Sequence, residues 1–406
     1  MVSNLNKTKS KNSTIPITEL ERSAFCQEET ELESKPLFEE KKSKVRWQKI
    51  PIEYMRLTPD ELDTRIAHSK NILKEKLIIL GHHYQRDQII KYTDFQGDSF
   101  KLAQYAASLS KKEYIIFCGV HFMAETADIL SEEHQKVILP NLTAGCSMAD
   151  MAITEDVLDC WEDLNDILDH NKITPITYMN STAAIKAICG ENQGLVCTSS
   201  NANKAMQWAF SKREKILFIP DQHLGINTGK ALGMKPDDMI IWDPFKELGG
   251  NTINSIEKAK LILWKGHCSV HTRFNYDQIK NAREKFKNIN IIVHPECTAE
   301  VVEHADFVGS TEYIIKTINE GKPGSVWGVG TEINLVNRIA KQHPDKTIFC
   351  LDSLVCPCST MYRIHPAYLC WVLESIEKGN IINQIKVDKN IIHNSKIALN
   401  RMLKLN

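Results

Sequence analysis

The sequence predicts an α/β protein built from three similar units, each a parallel sheet covered by helices. Three observations predict it. Apolar runs of strand length alternate with segments whose apolar residues fall at helical spacing, the pattern of parallel sheets buried on both faces. The alternation passes through three cycles of similar length, a form of internal repetition. The last strand of each cycle runs into a cysteine: Cys146, Cys268, and the "CPC" of Cys356 and Cys358.

The first cycle opens with "KLIILGHHYQ" (76–85), an apolar run ending in polar residues. "GDSFKLAQYAASL" (97–109) follows, with Asp98 or Ser99 placed to cap a helix. "YIIFCGVHFMAETADIL" (114–130) repeats strand, turn and helix, and "KVILPN" leads to Cys146. The second cycle runs from "ITPITYMNSTAAIKAI" (173–188) through "LVCTSSNANKAMQWA" (195–209) and "ILFIPDQHLGINTGKAL" (216–232) to "LILWKGHCSV" (261–270). The stretch 233–260, with "MIIWDP" and "ELGGN", reads as an insertion before that last strand. The third cycle comprises "NIIVHPECTAEVVEHA" (290–305), "FVGSTEYIIKTI" (307–318), "SVWGVGTEINLVNRIA" (325–340) and "KTIFCLDSLVCPC" (346–358). The expected organisation is a disordered extension over 1–45, rich in Lys, Ser, Asn and Glu. A first α/β domain follows over 46–144, completed by 356–406. A second spans 145–266 with the insertion 233–260, and a third spans 267–355.

A chain of 406 residues is long enough for two or three domains. Its 50 Lys and Arg nearly balance 51 Asp and Glu, which argues against a nucleic acid or a membrane surface as partner, since both usually demand a net basic face. No apolar run approaches the roughly 18 residues of a membrane span. The first residues lack the apolar stretch of a signal peptide, and their acidic residues disfavour an organelle transit peptide, so the cytoplasm is expected. There the twelve cysteines should be reduced, offering thiols or metal ligands rather than disulfides, and most read as small buried apolar side chains.

In open α/β sheets ligands bind outside the carboxyl ends of the strands. A single cysteine there would read as a buried thiol, but three after equivalent strands point to a shared site if the three edges face one centre. The other strand ends are consistently polar: His82, His83, Tyr84 and Gln85 in the first cycle, Tyr178, Asn180, Ser181 and Thr182 in the second, His294, Pro295 and Glu296 in the third. Ser99, Ser199, Ser310 and Thr311 sit where helices should start. Each alone would be a plain cap. Several helix N-termini converging on one cavity would hold a small, highly anionic substrate without a lysine patch. Gly225, Gly229 and Gly233 do not form a dinucleotide fingerprint and "GVGTE" (328–332) lacks the Walker lysine, so a nucleotide site is not supported. Three thiolates suit an iron–sulfur cluster or zinc. Three ligands on a four-iron cubane would leave one iron open as a Lewis acid, which fits dehydration of a polycarboxylate beside a His/Glu/Tyr acid–base set.

These residues resemble the quinolinate synthase family of bacterial NAD biosynthesis. The matching stretches are "HHYQ" with "GDS", "GVHFMAET", "PNLTAGCS", "TYMNSTAAIKA", "CTSSN", "PDQHLG", "WKGHCSVH", "VHPEC", "GST", "VGTE" and "CPCSTMYRI", in one order over about 46–370. The resemblance implies three pseudo-symmetric α/β/α (Rossmann-like) domains with short parallel sheets around a central 4Fe–4S cluster. It implies a transferase/dehydratase that condenses iminoaspartate with dihydroxyacetone phosphate to quinolinate, losing phosphate and two waters. A transient contact with the enzyme supplying iminoaspartate is also expected. Carried over motif by motif, the cluster ligands are Cys146, Cys268 and Cys358. The substrate contacts are His82 and Ser99; Tyr178, Asn180 and Ser199; and His294, Glu296 and Thr311. Catalytic proton transfer falls to Glu296, Tyr84 and His294. Many members carry C-x-x-C-x-x-C near the C-terminus where this chain has only "CPC". Matching "CSTM" to the family's C-x-x-M selects Cys358 and leaves Cys356 as a neighbouring thiol.

Two other classes fit part of the pattern. A zinc hydrolase would use the three cysteines or the His/Glu strand ends. An iron–sulfur sensor would lean on a basic helix or DNA-binding motif, and the chain shows neither.

Overall fold

The computed structural model describes residues 15–28, 32, 35–109 and 111–405. The first cycle forms strands β1 (Leu77–His82), β2 (Phe95–Gly97), β3 (Tyr114–Cys118) and β4 (Lys136–Ile138). The second forms β5 (Ile173–Tyr178), β6 (Leu195–Cys197), β7 (Lys215–Ile219), β8 (Met239–Trp242) and β9 (Leu261–Trp264). The third forms β10 (Ile289–Val293), β11 (Phe307–Val308), β12 (Val326–Gly330) and β13 (Thr347–Cys350). A last strand, β14 (Gln384–Ile385), returns to the first sheet antiparallel to β4; every other pairing among these fourteen strands is parallel.

The three sheets repeat one topology. Their orders contain β2-β1-β3-β4, β6-β5-β7-β9 and β11-β10-β12-β13, so the first strand of each cycle is central and the order reverses beside it. That reversal is the switch point at which open α/β sheets bind ligands. The central strands are apolar because both faces are covered: every residue of β1 and of β5 is buried. Ile79 lies beside Ile116, Ile176 beside Phe218, and Ile291 beside Gly328. A short polar side chain starts the helix that follows many of these strands. Asp98 accepts the Lys101 amide, Thr182 that of Ile185, Asp221 that of Leu224 and Ser310 that of Tyr313.

Three regions depart from the expected plan. The stretch 233–260 is more than an insertion, because it supplies β8, which extends the second sheet in parallel beyond β9. At the C-terminus β14 joins the first sheet, but helix Lys389–Leu403 crosses onto the second unit and packs on helix Ala183–Glu191. There Ser395 Oγ donates to the Ala183 carbonyl at 2.8 Å and Arg401 to that of Gly194 at 2.6 Å. Gly190 permits the approach, since a Cβ there would stand 1.9 Å from the Asn394 carbonyl oxygen.

The third departure is the N-terminal segment. Residues 1–14 of the expected disordered extension lie outside the described residues. Farther along, short helices form at Ile17–Leu20 and Leu37–Glu40. Leu37 is fully buried, and Glu40 grips the buried Arg86 with two hydrogen bonds at 2.7 and 2.9 Å. Gln27 pairs with Val355 in an antiparallel bridge, and the adjacent Cys26 and Cys356 are joined in a disulfide. That bond corrects the expectation that all twelve cysteines are free thiols; the bridge brings the two side chains together across the chain. The other ten are not disulfide-bonded.

Candidate active site and metal centre

Each unit delivers functional side chains at the end of its central strand with the same spacing. His82 and Tyr84 follow from β1, Tyr178 and Asn180 from β5, and His294 and Glu296 from β10. Two of these turns are locked alike: the Tyr84 amide donates to His82 Nδ1 at 3.1 Å, and the Glu296 amide to His294 Nδ1 at 3.4 Å. The second strand of each unit then leads to Ser99, Ser199 and Thr311, at or just before helices Ser99–Ser108, Ala202–Phe210 and Thr311–Glu320. With Cys146, Cys268 and Cys358, all twelve of these side chains line one cleft.

Glu296 is buried and surrounded. Its Oε1 accepts the Tyr178 hydroxyl at 2.5 Å and lies 3.7 Å from His294 Nδ1, while Oε2 lies 3.7 Å from His271 Nε2. Burial pushes its carboxyl up to about 7, against the opposing pull of hydrogen bonds from Tyr178 and Cys268. Asp221, fully buried at the end of β7, is also raised, first by burial and then by the neighbouring Glu296. Burial drives the histidines the other way, His82 and His271 to about 3 and His294 well below its usual range. The imidazoles are therefore neutral at pH 7, and among the described residues no Lys or Arg lines the cleft. An anion placed here meets hydrogen-bond donors and helix N-termini rather than formal positive charge. Tyr84 bridges to the third unit, its hydroxyl 2.9 Å from Thr331 Oγ1 and 3.2 Å from Thr311 Oγ1.

The three free thiols share a local form. Each cysteine is followed by serine and a short helical turn: Ser147–Asp150, His271–Arg273 and Met361–Arg363. Burial raises all three thiols, and the proximity of the other sulfurs raises Cys146 and Cys268 further. Three converging thiols without a cation to stabilise their thiolates are a donor set that fits a soft metal centre. Cys268 also belongs to a second donor group, its Sγ within 4.8 Å of donor atoms of His271 and Glu296.

Sequence reasoning missed four residues that shape this cleft. His271 stacks on His294 with ring centroids 4.3 Å apart, and its Nδ1 is buried without a partner. Glu332, fully buried, accepts the Cys358 amide at 3.1 Å while capping helix Ile333–Gln342. Asp221 caps helix Gln222–Ala231. From that same helix Asn227 donates to the carbonyls of Pro295 and Cys297, both at 2.8 Å, and so holds the two residues flanking Glu296. The repeated Cys-Ser pairs were a signal for His271, three residues after Cys268.

Among the described residues no helix is long and apolar enough to cross a membrane. The family model described as "Quinolinate synthetase A protein" matches residues 64–404. The chain is 54% identical over 358 residues to the quinolinate synthase of Corynebacterium glutamicum, covering 88% of this chain and 91% of the relative. It is 54% identical over 356 residues to that of Herpetosiphon aurantiacus (87% and 95%), and 52% identical over 357 residues to that of Geobacillus thermodenitrificans (88% and 96%). With its cleft at the switch points of three repeated sheets, the chain belongs to the quinolinate synthase family, enzymes that make quinolinate in NAD biosynthesis.

Proposed function

We propose that the chain condenses iminoaspartate with dihydroxyacetone phosphate to quinolinate, phosphate and two waters, with a 4Fe–4S cluster held by Cys146, Cys268 and Cys358. The observation that carries this reading is the convergence of three free thiols and the Glu296 network in one cleft that no described lysine or arginine lines. The division into three α/β units and a cytoplasmic setting go with it. So does a transient contact with the supplier of iminoaspartate, because an imine hydrolyses in water.

When bound, the cluster supplies an iron without a protein ligand, which acts as a Lewis acid. The chain's own residues bind, orient and move protons. His82, Asn180, Ser99, Ser199 and Thr311 hold carboxylate and phosphate oxygens. His82 does so as a neutral donor, so each bound anion keeps its charge. Tyr178 and His294 orient Glu296, which removes a proton from the condensing carbon and returns it to a departing hydroxyl; a carboxyl held near 7 serves both directions. Tyr84, kept protonated by burial, is a second proton donor in the cleft.

A second reading of the metal is a single zinc on Cys268, His271 and Glu296, favoured by their mutual distances. Anaerobic preparation with iron, sulfide and zinc analysis, followed by a quinolinate assay, separates the two. About four irons and four sulfides per chain, with quinolinate formed from both substrates, are expected. A colourless, zinc-only protein would reject the cluster. A loaded chain that forms no quinolinate would reject the assigned chemistry.

A further inference from the structure

We propose that the N-terminal segment Pro16–Gln27 is a clasp that positions the three cysteine loops, an inference that rests on their reading as metal ligands. The segment reaches each loop through a different bond. Thr18 Oγ1 donates to Asp150 Oδ2 at 2.6 Å, on the turn that begins at Cys146. Glu19 Oε1 stands 3.4 Å from His267 Nε2, the residue before Cys268. Burial opposes the charge on Glu19, but His267 and Arg22 overcome it and hold the carboxyl below its usual range. Glu21 pairs with the fully buried Arg363, five residues beyond Cys358, and Cys26 is bonded to Cys356, two residues before it.

The arginines after the second and third cysteines spread these contacts across loops. Arg363 also donates to the Thr143 carbonyl at 3.1 Å, next to the Cys146 turn. Arg273, five residues after Cys268, reaches Cys26 Sγ at 3.2 Å and Asp352 at 3.2 Å. A ligand set drawn from three separate sheets has no single element to keep its spacing. The clasp supplies one, because it touches all three loops.

Linkage makes the relation reciprocal: a segment that favours the metal-holding arrangement must itself be tightened when metal binds. Two experiments read this. In full-length chain, Thr18→Val with Cys26→Ser removes two anchors while leaving the buried Glu21–Arg363 pair intact. Iron release to a chelator under argon should be about tenfold faster than in the parent, within the usual range of such couplings. The melting temperature of the metal-free chain falls with loss of the Cys26–Cys356 cross-link, so iron release and not melting is the readout. In the unaltered chain, hydrogen exchange at residues 17–27 should slow by a similar factor on loading, while helix Pro59–Leu73 exchanges alike with and without metal. The exchange experiment decides even if the variant fails to fold. Release within twofold of the parent, or exchange at 17–27 indifferent to loading in a chain that holds iron, overturns the clasp alone. A parent chain that takes up no metal overturns the metal reading and the clasp with it.

Discussion

Tyr178 donates its phenolic hydrogen to Glu296 Oε1 across the seam between the second and third sheets. Both side chains are buried, and burial, with Glu296 adding to it, pushes the phenol well above its usual range. Tyr178 therefore stays a donor at any working pH. A carboxyl near 7 that Tyr178 holds at Oε1 can take up and release a proton to substrate at working pH.

Glu296→Gln tests that role. The substitution keeps size and can still accept from Tyr178, but it cannot carry a proton. Turnover should fall by about 10²-fold, the usual scale of acid–base catalysis, with metal content and melting temperature unchanged. Turnover within a factor of two of the parent would assign Glu296 to holding the loop rather than to catalysis.

Much of the fold was legible because the forces that build it are local. Parallel strands buried on both faces are continuous apolar runs, and Asp98 and Ser310 announce helix starts. The strand-end pairs at 82/84, 178/180 and 294/296 were legible for the same reason, since polar residues at the carboxyl end of a buried strand must face a cavity or solvent. What escaped depends on distant partners. The charges at Glu21 and Glu40 read as a solvated tail, because nothing nearby shows that Arg363 and Arg86 are buried and await them. β8 looked like an insertion because its partner β9 comes after it. Asn227 gave no signal at all: it lies within a helix, and its two acceptors belong to another unit.

The pair Cys356 and Cys358 separates ligand from anchor. Pro357 fixes the backbone between them, so the two sulfurs point to different neighbours. Cys356 bonds Cys26, whereas Cys358 faces the cleft. Cys358→Ser should abolish iron retention, because an alcohol oxygen is a poor ligand for a soft centre. Cys356→Ser should load a full complement of iron and then release it at the same rate as Cys26→Ser, since both break one bond. Iron per chain after identical anaerobic reconstitution reads the first outcome. Retention by Cys358→Ser with loss by Cys356→Ser would move the ligand by two residues.

Glu312 ties the first unit to the third and makes stability depend on acid. It accepts His83 Nε2 at 2.8 Å and Lys101 Nζ at 2.8 Å, with the buried Asp98 nearby. Burial opposes its ionisation, but the hydrogen bonds from His83 and Lys101 overcome that and hold the carboxyl down to about 2. The folded value lies below the unfolded one of about 4.3, so the contribution is full above that value and fades as pH falls towards 2. Glu312→Gln should melt below the parent at pH 7, and the gap should close between about pH 5 and pH 2. Melting curves that stay parallel across that window would show that the pair contributes nothing to the coupling of the two units.

Asn227 offers the sharpest test of how the second unit serves the third. Its side-chain amide donates both hydrogens to the carbonyls that bracket Glu296, at 2.8 Å each. Without those bonds two buried carbonyls lose their partner and the turn that aims Glu296 is free to shift. Asn227→Leu keeps nearly the same volume and removes both donors. A displacement on the order of 1 Å at a reacting group costs about 10²-fold in rate, so turnover should fall by about 10- to 100-fold. Substrate binding rests mainly on other side chains, so KM should change by less than about threefold, and iron content should stay with the parent because no cysteine loop is touched. Asn227→Gln, which retains the amide on a longer arm, should recover part of the loss. A fall in kcat matched by a proportional loss of folded protein, with no recovery in the glutamine variant, would make Asn227 a packing residue and leave Glu296 to be positioned by Tyr178 and His294.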